Sequence, residues 1–196
     1  MKKFIAPAKY RKIWKKSLPL LRAGRPDDLG HAQETVNIIT NYRGKLKMDQ
    51  DILIPVAMMH DIGHAGLLEE HFKWVAGSEV LTNGKLVHML VGAKIAKTIL
   101  TSLHYPKEKI KEIVDIISLH DADTLTGINL NKAYNTHNKK LFHDIDHLDR
   151  FSAERIEKVK KRFKNKTAIL KLLKKSLDSF FFNEFKKLAA EKFEQL

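Results

Sequence analysis

The residue pair His60-Asp61 closes an apolar stretch that runs from Ile52 to Met59, and His64 follows four residues after His60. Imidazole and carboxylate groups both bind metal ions, and burying them beside a hydrophobic core is costly unless their polar atoms have partners. A bound divalent cation would be such a partner. The pair therefore indicates a metal site at the edge of the core.

Four more residues of the same chemistry each fall on or at the end of a different predicted helix: His31, His88, His120 and Asp146. Helical bundles build internal metal sites from inward-facing ligands on several helices. The donor set suits Mn, Fe, Co, Ni, Mg or Zn, because imidazole favours the transition metals and carboxylate favours the harder ions. The chain has no cysteine, which excludes disulfides, thiolate zinc sites and a cysteine nucleophile.

The elements that must position these residues are helices. Apolar residues recur at helical spacing, and the sustained apolar and polar alternation of strands is absent. We predict an all-α fold of about seven helices, with helices over residues 27–43, 49–62, 85–104 and 138–163, one beginning at Pro106, and a last helix or pair of helices beginning at Thr167. Asp49 should cap the helix over 49–62, Gly63 should end it, and Pro55 should kink it.

The net charge of +13 is unevenly distributed along the 196 residues. Residues 1–25 carry nine Lys/Arg and no acid, and residues 151–196 carry thirteen Lys/Arg and six acids, whereas all ten histidines lie between these ends. We therefore divide the chain into a basic N-terminal helix (1–26), a central domain (27–151), and a basic C-terminal helical extension (152–196) that packs on the domain. The length suffices for one domain with a sizeable core.

The basic ends leave a nucleic-acid contact open but do not favour it. The run from Arg155 to Lys175 is interpreted as a solvated amphipathic helix, because no aromatic platform or nucleic-acid motif accompanies its charge. The triplet Phe180-Phe181-Phe182 should pack on the domain or on a partner subunit, which leaves a homodimer open. No apolar run approaches the roughly 20 residues of a membrane span, and no signal peptide is evident, so we expect a cytoplasmic protein.

Five segments resemble, in order, the HD superfamily of metal-dependent phosphohydrolases: LGHAQETVNII, ILIPVAMMHDIGH, KLVHMLVGAKIAKTIL, YPKEKIKEIVDIISLHD and LFHDIDHLDRF. The resemblance covers roughly residues 27–151 and implies a helical bundle with a metal site in its core. It implies His31, His60, Asp61 and Asp146 as the metal ligands. The expected activity is hydrolysis of a phosphomonoester, a nucleotide or a phosphodiester by a metal-activated water, with a small nucleotide as the leading substrate.

The resemblance implies two alternative roles for His88 and His120. In binuclear members of the superfamily, histidines at similar positions bind a second metal ion, and Asp61 would then bridge the two ions. In mononuclear members, a histidine near the position of His88 acts as an acid or base. His64 resembles a histidine that lines the phosphate channel of the deoxynucleoside triphosphate triphosphohydrolases. Asp61, His64 and His88 are therefore the candidate catalytic residues.

Two cations near these motifs, Lys94 and Arg150, are candidates for binding the substrate phosphate. Neither subfamily compared in detail fits closely. The HD-GYP phosphodiesterases usually have lysine where His64 stands, and the segment after His64 does not match the triphosphohydrolases. Two other functions stay open, a nucleotide-sensing module that keeps the fold and a basic helical nucleic-acid-binding protein. The complete ligand set favours the enzyme.

Overall fold

The computed structural model describes residues 4–42, 44–65, 84–152, 155–157 and 166–194, and within these ranges the regular structure is helical without strands. The α-helices are α1 (Arg11–Ala23), α2 (Asp28–Asn41), α3 (Gln50–Met59), α4 (Gly84–Ser102), α5 (Lys107–Ile117), α6 (Leu130–Ala133), α7 (His137–Asp149), α8 (Lys166–Ser176) and α9 (Asn183–Glu194). Short 3₁₀ turns cover Ala8–Tyr10, Ile62–His64, Ala122–Thr124 and Leu177–Ser179. The all-α prediction is confirmed.

Helix α3 is the centre of the core, and each of its residues from Ile52 to Met59 is buried. It packs against α1, α2, α5 and α7. The predicted cap is confirmed, because the side chain of Asp49 accepts a hydrogen bond from the backbone N–H of Asp51. A helix buried on all sides carries no polar stripe, which is why the sequence there is an uninterrupted apolar run.

Pro55 lies inside α3 without ending it. Proline has no N–H, so it cannot bond the carbonyl four residues earlier, that of Asp51. The hydroxyl of Tyr105 donates to that carbonyl oxygen at 2.7 Å. The missing helical hydrogen bond is therefore replaced by one from the segment that joins α4 to α5. The kink predicted at Pro55 stays a prediction.

The turn after α3 packs tightly on α4, and Gly63 makes this approach feasible. A Cβ atom on Gly63 would collide with the backbone carbonyl of His88 and would come within 2.7 Å of the backbone nitrogen of Gly92. Only glycine fits there, and this close approach brings the His60-Asp61 segment against α4. Helix α3 itself ends at Met59, and Gly63 lies in the 3₁₀ turn that follows.

The helix predicted over residues 138–163 is interrupted. Helix α7 ends at Asp149, and tight turns follow in which the backbone N–H of Ser152 bonds the carbonyl of Asp149. Ser152 then begins a new helical segment, because its hydroxyl and carbonyl accept the N–H groups of Arg155 and Ile156. The prediction failed because serine competes with the helix interior and favours helix starts. Residues 158–163 lie outside the described residues.

The C-terminal helices contact the rest of the domain through α9, which packs on α7. The buried carboxylate of Asp144 accepts the backbone N–H groups of Phe181 at 2.9 Å and Phe182 at 2.8 Å. Phe180 packs near Phe151 with ring centroids 6.1 Å apart. The phenylalanine triplet therefore packs on its own domain, the first of the two alternatives that its sequence left open. The predicted segment boundaries at residues 26 and 151 stay a prediction.

None of the helices in the described ranges has both the length and the apolar character that a membrane crossing requires.

Candidate metal centre

The predicted ligands come from five parts of the bundle. His31 lies on α2 and Asp146 on α7, while His60 and Asp61 directly follow α3. His88 lies on α4, and His120 lies between α5 and the 3₁₀ turn Ala122–Thr124. All six converge on one buried region, and apart from His31 each is almost completely shielded from solvent.

Four of these residues form a first group. Oδ1 of Asp146 lies 2.7 Å from Nε2 of His31 and 3.4 Å from Nε2 of His60, and Oδ2 of Asp61 lies 3.5 Å from the same nitrogen of His60. Ligand atoms that bind one ion at about 2.0–2.2 Å stand roughly 3.0–3.5 Å apart when they occupy neighbouring positions. The observed spacing is therefore close to that of ligands around a single ion.

The other oxygen of Asp61 faces a second group of imidazoles. Its Oδ1 lies 3.5 Å from Nε2 of His64, 3.6 Å from Nε2 of His120 and 3.8 Å from Nε2 of His88. The Nε2 atoms of His88 and His120 are 3.3 Å apart. Asp61 thus stands between the two groups, with one carboxylate oxygen turned toward each.

Three of the histidine rings share one orientation, with Nδ1 beside an acceptor and Nε2 toward the centre. Nδ1 of His60 lies 3.2 Å from the carbonyl oxygen of Ala57, and Nδ1 of His120 lies 2.8 Å from the carbonyl oxygen of Ile117. In His31, Nδ1 lies 2.8 Å from Oδ2 of Asp149. An Nδ1–H that donates to such an acceptor leaves the lone pair on Nε2, which is the usual arrangement of a metal-binding histidine.

Two imidazole nitrogens at the centre lack hydrogen-bond partners among the described residues. Nε2 of His60 is buried and makes no hydrogen bond there, and the same holds for Nε2 of His64. Buried polar atoms without partners are rare because their desolvation is not compensated. Imidazole lone pairs and carboxylates that face one another call for a cation between them, so the residues present fit a divalent metal ion.

A family model described as HD domain matches residues 28–151, more than half of the chain. The chain belongs to the HD domain family. Searches among curated proteins and among solved structures found no match. The family membership agrees with the resemblance seen in the five sequence segments, and metal-dependent phosphohydrolases are the enzymes typical of this superfamily.

The electrostatics of the HD domain centre favour the metal-binding forms of four of its six proposed ligands. Burial works to raise the pKa of Asp61 and Asp146, but the surrounding histidines hold both well below the usual range, so both are carboxylates. Burial lowers the pKa of His60. Burial, together with the nearby imidazoles of His120 and His64, lowers the pKa of His88 to about 2. The rings of His60 and His88 are therefore neutral. His31 and His120 differ, because nearby carboxylates overcome the effect of burial. Asp146 raises the pKa of His31 well above its usual value, and Asp61 and Asp121 raise the pKa of His120 to about 9, so each ring must release a proton before it can bind an ion.

Three arginines, Arg25, Arg150 and Arg155, line the cavity above the ligands. Nη2 of Arg25 lies 2.8 Å from Oδ2 of Asp61, and its Nε lies 2.8 Å from Oδ1 of Asp28. Of these three, only Arg150 was predicted from the sequence to bind the substrate phosphate, and Arg25 and Arg155 were not. Arg25 is the last cation of the basic N-terminal segment and stands three residues before Asp28, a spacing that could have drawn attention to it.

The remaining predicted site residues separate into two sets. His64 is close to the centre, where its ring stacks on His88 at a centroid distance of 4.0 Å. Lys94 is exposed on α4 and is not among the residues that line the cavity. The fold therefore places His64 and Arg150 near the centre. Lys94 lies away from it, because its side chain is on the solvent-exposed face of α4.

From the sequence alone, we expect four histidines to lie at the surface or in loops: His71, His104, His137 and His147. His104 and His137 are exposed as predicted, and His71 lies outside the described residues. The expectation for His147 is wrong, because its side chain is fully buried and Nε2 lies 3.1 Å from Oδ2 of Asp123. No local pattern distinguished His147, since its partner is 24 residues away in the sequence.

Proposed function

We propose that this HD domain protein is a metal-dependent phosphohydrolase that hydrolyses a small phosphate ester, with a nucleotide as the leading substrate class. The observation that carries the proposal is the set of histidines whose Nε2 atoms converge on two buried carboxylates while Nδ1 is held by an acceptor. A divalent ion bound there acidifies a water molecule and polarises a phosphoryl oxygen.

His31, His60, Asp61 and Asp146 are the ligands we assign to the first ion. Their separations and the partnerless Nε2 of His60 support this assignment. We also assign Asp61 a second role. Its Oδ1 faces away from the other three ligands of the first ion and can orient the attacking water.

His88 and His120 have two alternative roles that depend on the number of ions. With a second ion, the two Nε2 atoms and Oδ1 of Asp61 would hold it, and Asp61 would bridge the pair. With one ion, His120 holds a proton, because its pKa is raised to about 9, and can deliver it toward the leaving group. His88 stays neutral, and its Nε2, 3.3 Å from Nε2 of His120, can accept a hydrogen bond that holds the His120 ring in place.

Arg25 and Arg150 bind the phosphoryl oxygens in this proposal. A guanidinium presents paired N–H donors that match phosphate geometry, and charge-assisted hydrogen bonds are the stronger kind. Arg25 already contacts a proposed metal ligand, and Arg150 lines the same cavity. His64, whose ring stacks on that of His88, is a further proposed contact for the phosphate.

The decisive experiment combines metal analysis with an activity panel. Purified protein is analysed for bound metals and then assayed with Mn, Co, Ni and Mg against nucleotides and generic phosphoesters. Asp61→Ala should lose metal and at least about 100-fold in activity, because it removes a ligand of the centre. Asp178→Ala, an exposed carboxylate in a surface ion pair, is the matched control and should behave as wild type.

The outcomes separate the proposal from its competitors. Full metal content and full activity in Asp61→Ala would overturn the central assignment. Metal-dependent nucleotide binding without hydrolysis would instead support a nucleotide-sensing module. Salt-dependent DNA or RNA binding that survives chelation, without any hydrolysis, would support a nucleic-acid-binding protein. The cytoplasmic location and a homodimer stay predictions from the sequence.

A further inference from the structure

A second cluster of histidines and a carboxylate contains none of the proposed ligands. Asp123 belongs to the 3₁₀ turn Ala122–Thr124, and His143 and His147 lie on α7. One donor atom of each lies within 4.8 Å of the others. The histidine side chains are 2% and 0% exposed, and that of Asp123 is 16% exposed. The cluster is therefore buried and close enough to surround one ion.

The spacing of the two histidines is that of a helix-based metal site. His143 and His147 are four residues apart, so they lie on one face of α7 in successive turns. Their rings stack with centroids 3.8 Å apart and an angle of 27° between the ring planes. Two histidines at this spacing bind zinc in other proteins when a third ligand comes from elsewhere in the chain. Asp123 is in the position of that third ligand.

Each histidine of the cluster also has a carboxylate beside its other ring nitrogen. Nδ1 of His143 lies 3.0 Å from Oδ1 of Asp144, and Nδ1 of His147 lies 3.8 Å from Oδ2 of Asp146. Nδ1 of His147 is buried without a hydrogen-bond partner among the described residues. Metal-binding histidines almost always have such a carboxylate or carbonyl partner on the nitrogen that does not bind the metal.

The two ring nitrogens of His147 show how a metal would be accommodated. Nε2 now lies 3.1 Å from Oδ2 of Asp123, the contact of an N–H that donates to a carboxylate. When that proton sits on Nδ1 instead, the lone pair of Nε2 faces Asp123, and Oδ2 of Asp146 lies 3.8 Å from Nδ1, too far for a direct hydrogen bond. The change is one of tautomer, so the charge of the ring does not change.

We propose that Asp123, His143 and His147 form an additional binding site for a divalent transition metal of the zinc class. Two imidazoles and one carboxylate suit Zn²⁺, Co²⁺ or Ni²⁺ better than Mg²⁺ or Ca²⁺. Tyr134 closes one side, with its ring 4.8 Å from that of His143 and its hydroxyl 3.4 Å from Oδ1 of Asp123. A site this enclosed is structural, because catalytic sites keep a position open to substrate.

The site would connect the bundle to the proposed catalytic centre. An ion there links the turn after α5 to α7, the helix that carries Asp146. The hydroxyl of Tyr134 donates to the carbonyl of His120 at 3.0 Å. The additional ion would therefore fix the positions of Asp146 and His120 without contacting the substrate.

The test counts zinc in the full-length protein and does not depend on activity. After dialysis against Zn²⁺, we expect His143→Gln and Asp123→Asn to contain one equivalent per chain less than wild type, or to bind that equivalent at least tenfold more weakly. His137→Gln, which changes an exposed histidine on the same helix, is the matched control and should bind as wild type. Asp61→Ala should keep the additional equivalent, because Asp61 is not one of its ligands.

Co²⁺ provides a second readout of the same site. Co²⁺ added to Asp61→Ala should give a visible absorption spectrum that disappears in Asp61→Ala/Asp123→Asn. Wild-type zinc content and affinity in folded Asp123→Asn would overturn the proposal, and so would a Co²⁺ spectrum that this substitution leaves unchanged. Should His143→Gln fail to fold, Asp123→Asn decides, since its side chain is nearly isosteric and partly exposed.

Discussion

The guanidinium of Arg25 lies 2.8 Å from the carboxylate of Asp61, although 36 residues separate them in the sequence. The contact joins the end of the basic N-terminal segment to the centre of the HD domain. Half of the Arg25 side chain stays exposed. It therefore has donors left for a substrate that approaches through the cavity.

Arg25→Ala should lower kcat/KM for a phosphoester by about 10- to 100-fold while metal content stays the same. A hydrogen bond to a charged group contributes roughly 1.5–3 kcal/mol, which corresponds to this range of rates. Steady-state kinetics and metal analysis of the same preparation check it. Arg22→Ala, an exposed arginine on α1, is the control and should retain wild-type kinetics. Loss of metal together with activity would show that Arg25 supports Asp61 and does not bind substrate.

Asp149→Asn should weaken metal binding by about 10- to 100-fold without removing a ligand. The Asp149 carboxylate lies 2.8 Å from Nδ1 of His31 and fixes the ring so that Nε2 faces the centre. Removal of such an outer partner typically costs this much affinity. Titration with Mn²⁺ measures it, with Asp178→Asn as the surface control. An unchanged dissociation constant would show that His31 needs no such support.

The metal-free protein should lose stability as the pH rises from about 6.5 to about 9. The pKa of His120 is raised to about 9 in the folded protein. Its contribution to the free energy of unfolding is therefore complete below the unfolded-state pKa of about 6.5 and is lost as the pH rises through about 9. A shift of this size corresponds to about 3 kcal/mol. Urea unfolding in the presence of a chelator, at pH 6.5 and pH 9, measures the change.

The comparison of wild type with His120→Gln isolates this effect. The pKa of His31 is also raised, chiefly by Asp146 against the effect of burial, and adds a slope of the same sign in both proteins. His120→Gln should therefore show a smaller fall in stability over this interval than wild type. Equal falls would assign the pH dependence to other groups.

Tyr105→Phe should destabilise the fold by about 1 kcal/mol, because it removes the hydrogen bond to the carbonyl of Asp51 that Pro55 leaves without a helical partner. In a Pro55→Ala background the carbonyl regains a helical N–H, so the same substitution should cost less. A double-mutant cycle by urea unfolding measures the coupling. Strict additivity of the two substitutions would show that the tyrosine does not compensate for the proline.

The sequence by itself determined the helical fold and the chemistry of the centre. Helical periodicity and caps act over a few residues, and for this reason the cap at Asp49 and the burial of Ile52 to Met59 could be predicted. The ligand types were also local information, since His60-Asp61 at the end of an apolar run needs a cation whatever the rest of the chain does. Within the described residues, the helix predicted over 138–163 ends at Asp149 and a new helical segment begins at Ser152. Apolar periodicity continues through this break, so it could not predict the new helix start.

The tertiary structure alone decided which side chains meet. His31 and Asp146 are 115 residues apart, and Arg25, Asp149 and His147 reach their partners only through the packing of separate helices. Such distances depend on how helices cross and on close approaches such as that of Gly63 to α4. The relative positions of the helices depend on many weak contacts throughout the core, and a short stretch of sequence includes only a few of the residues that make them.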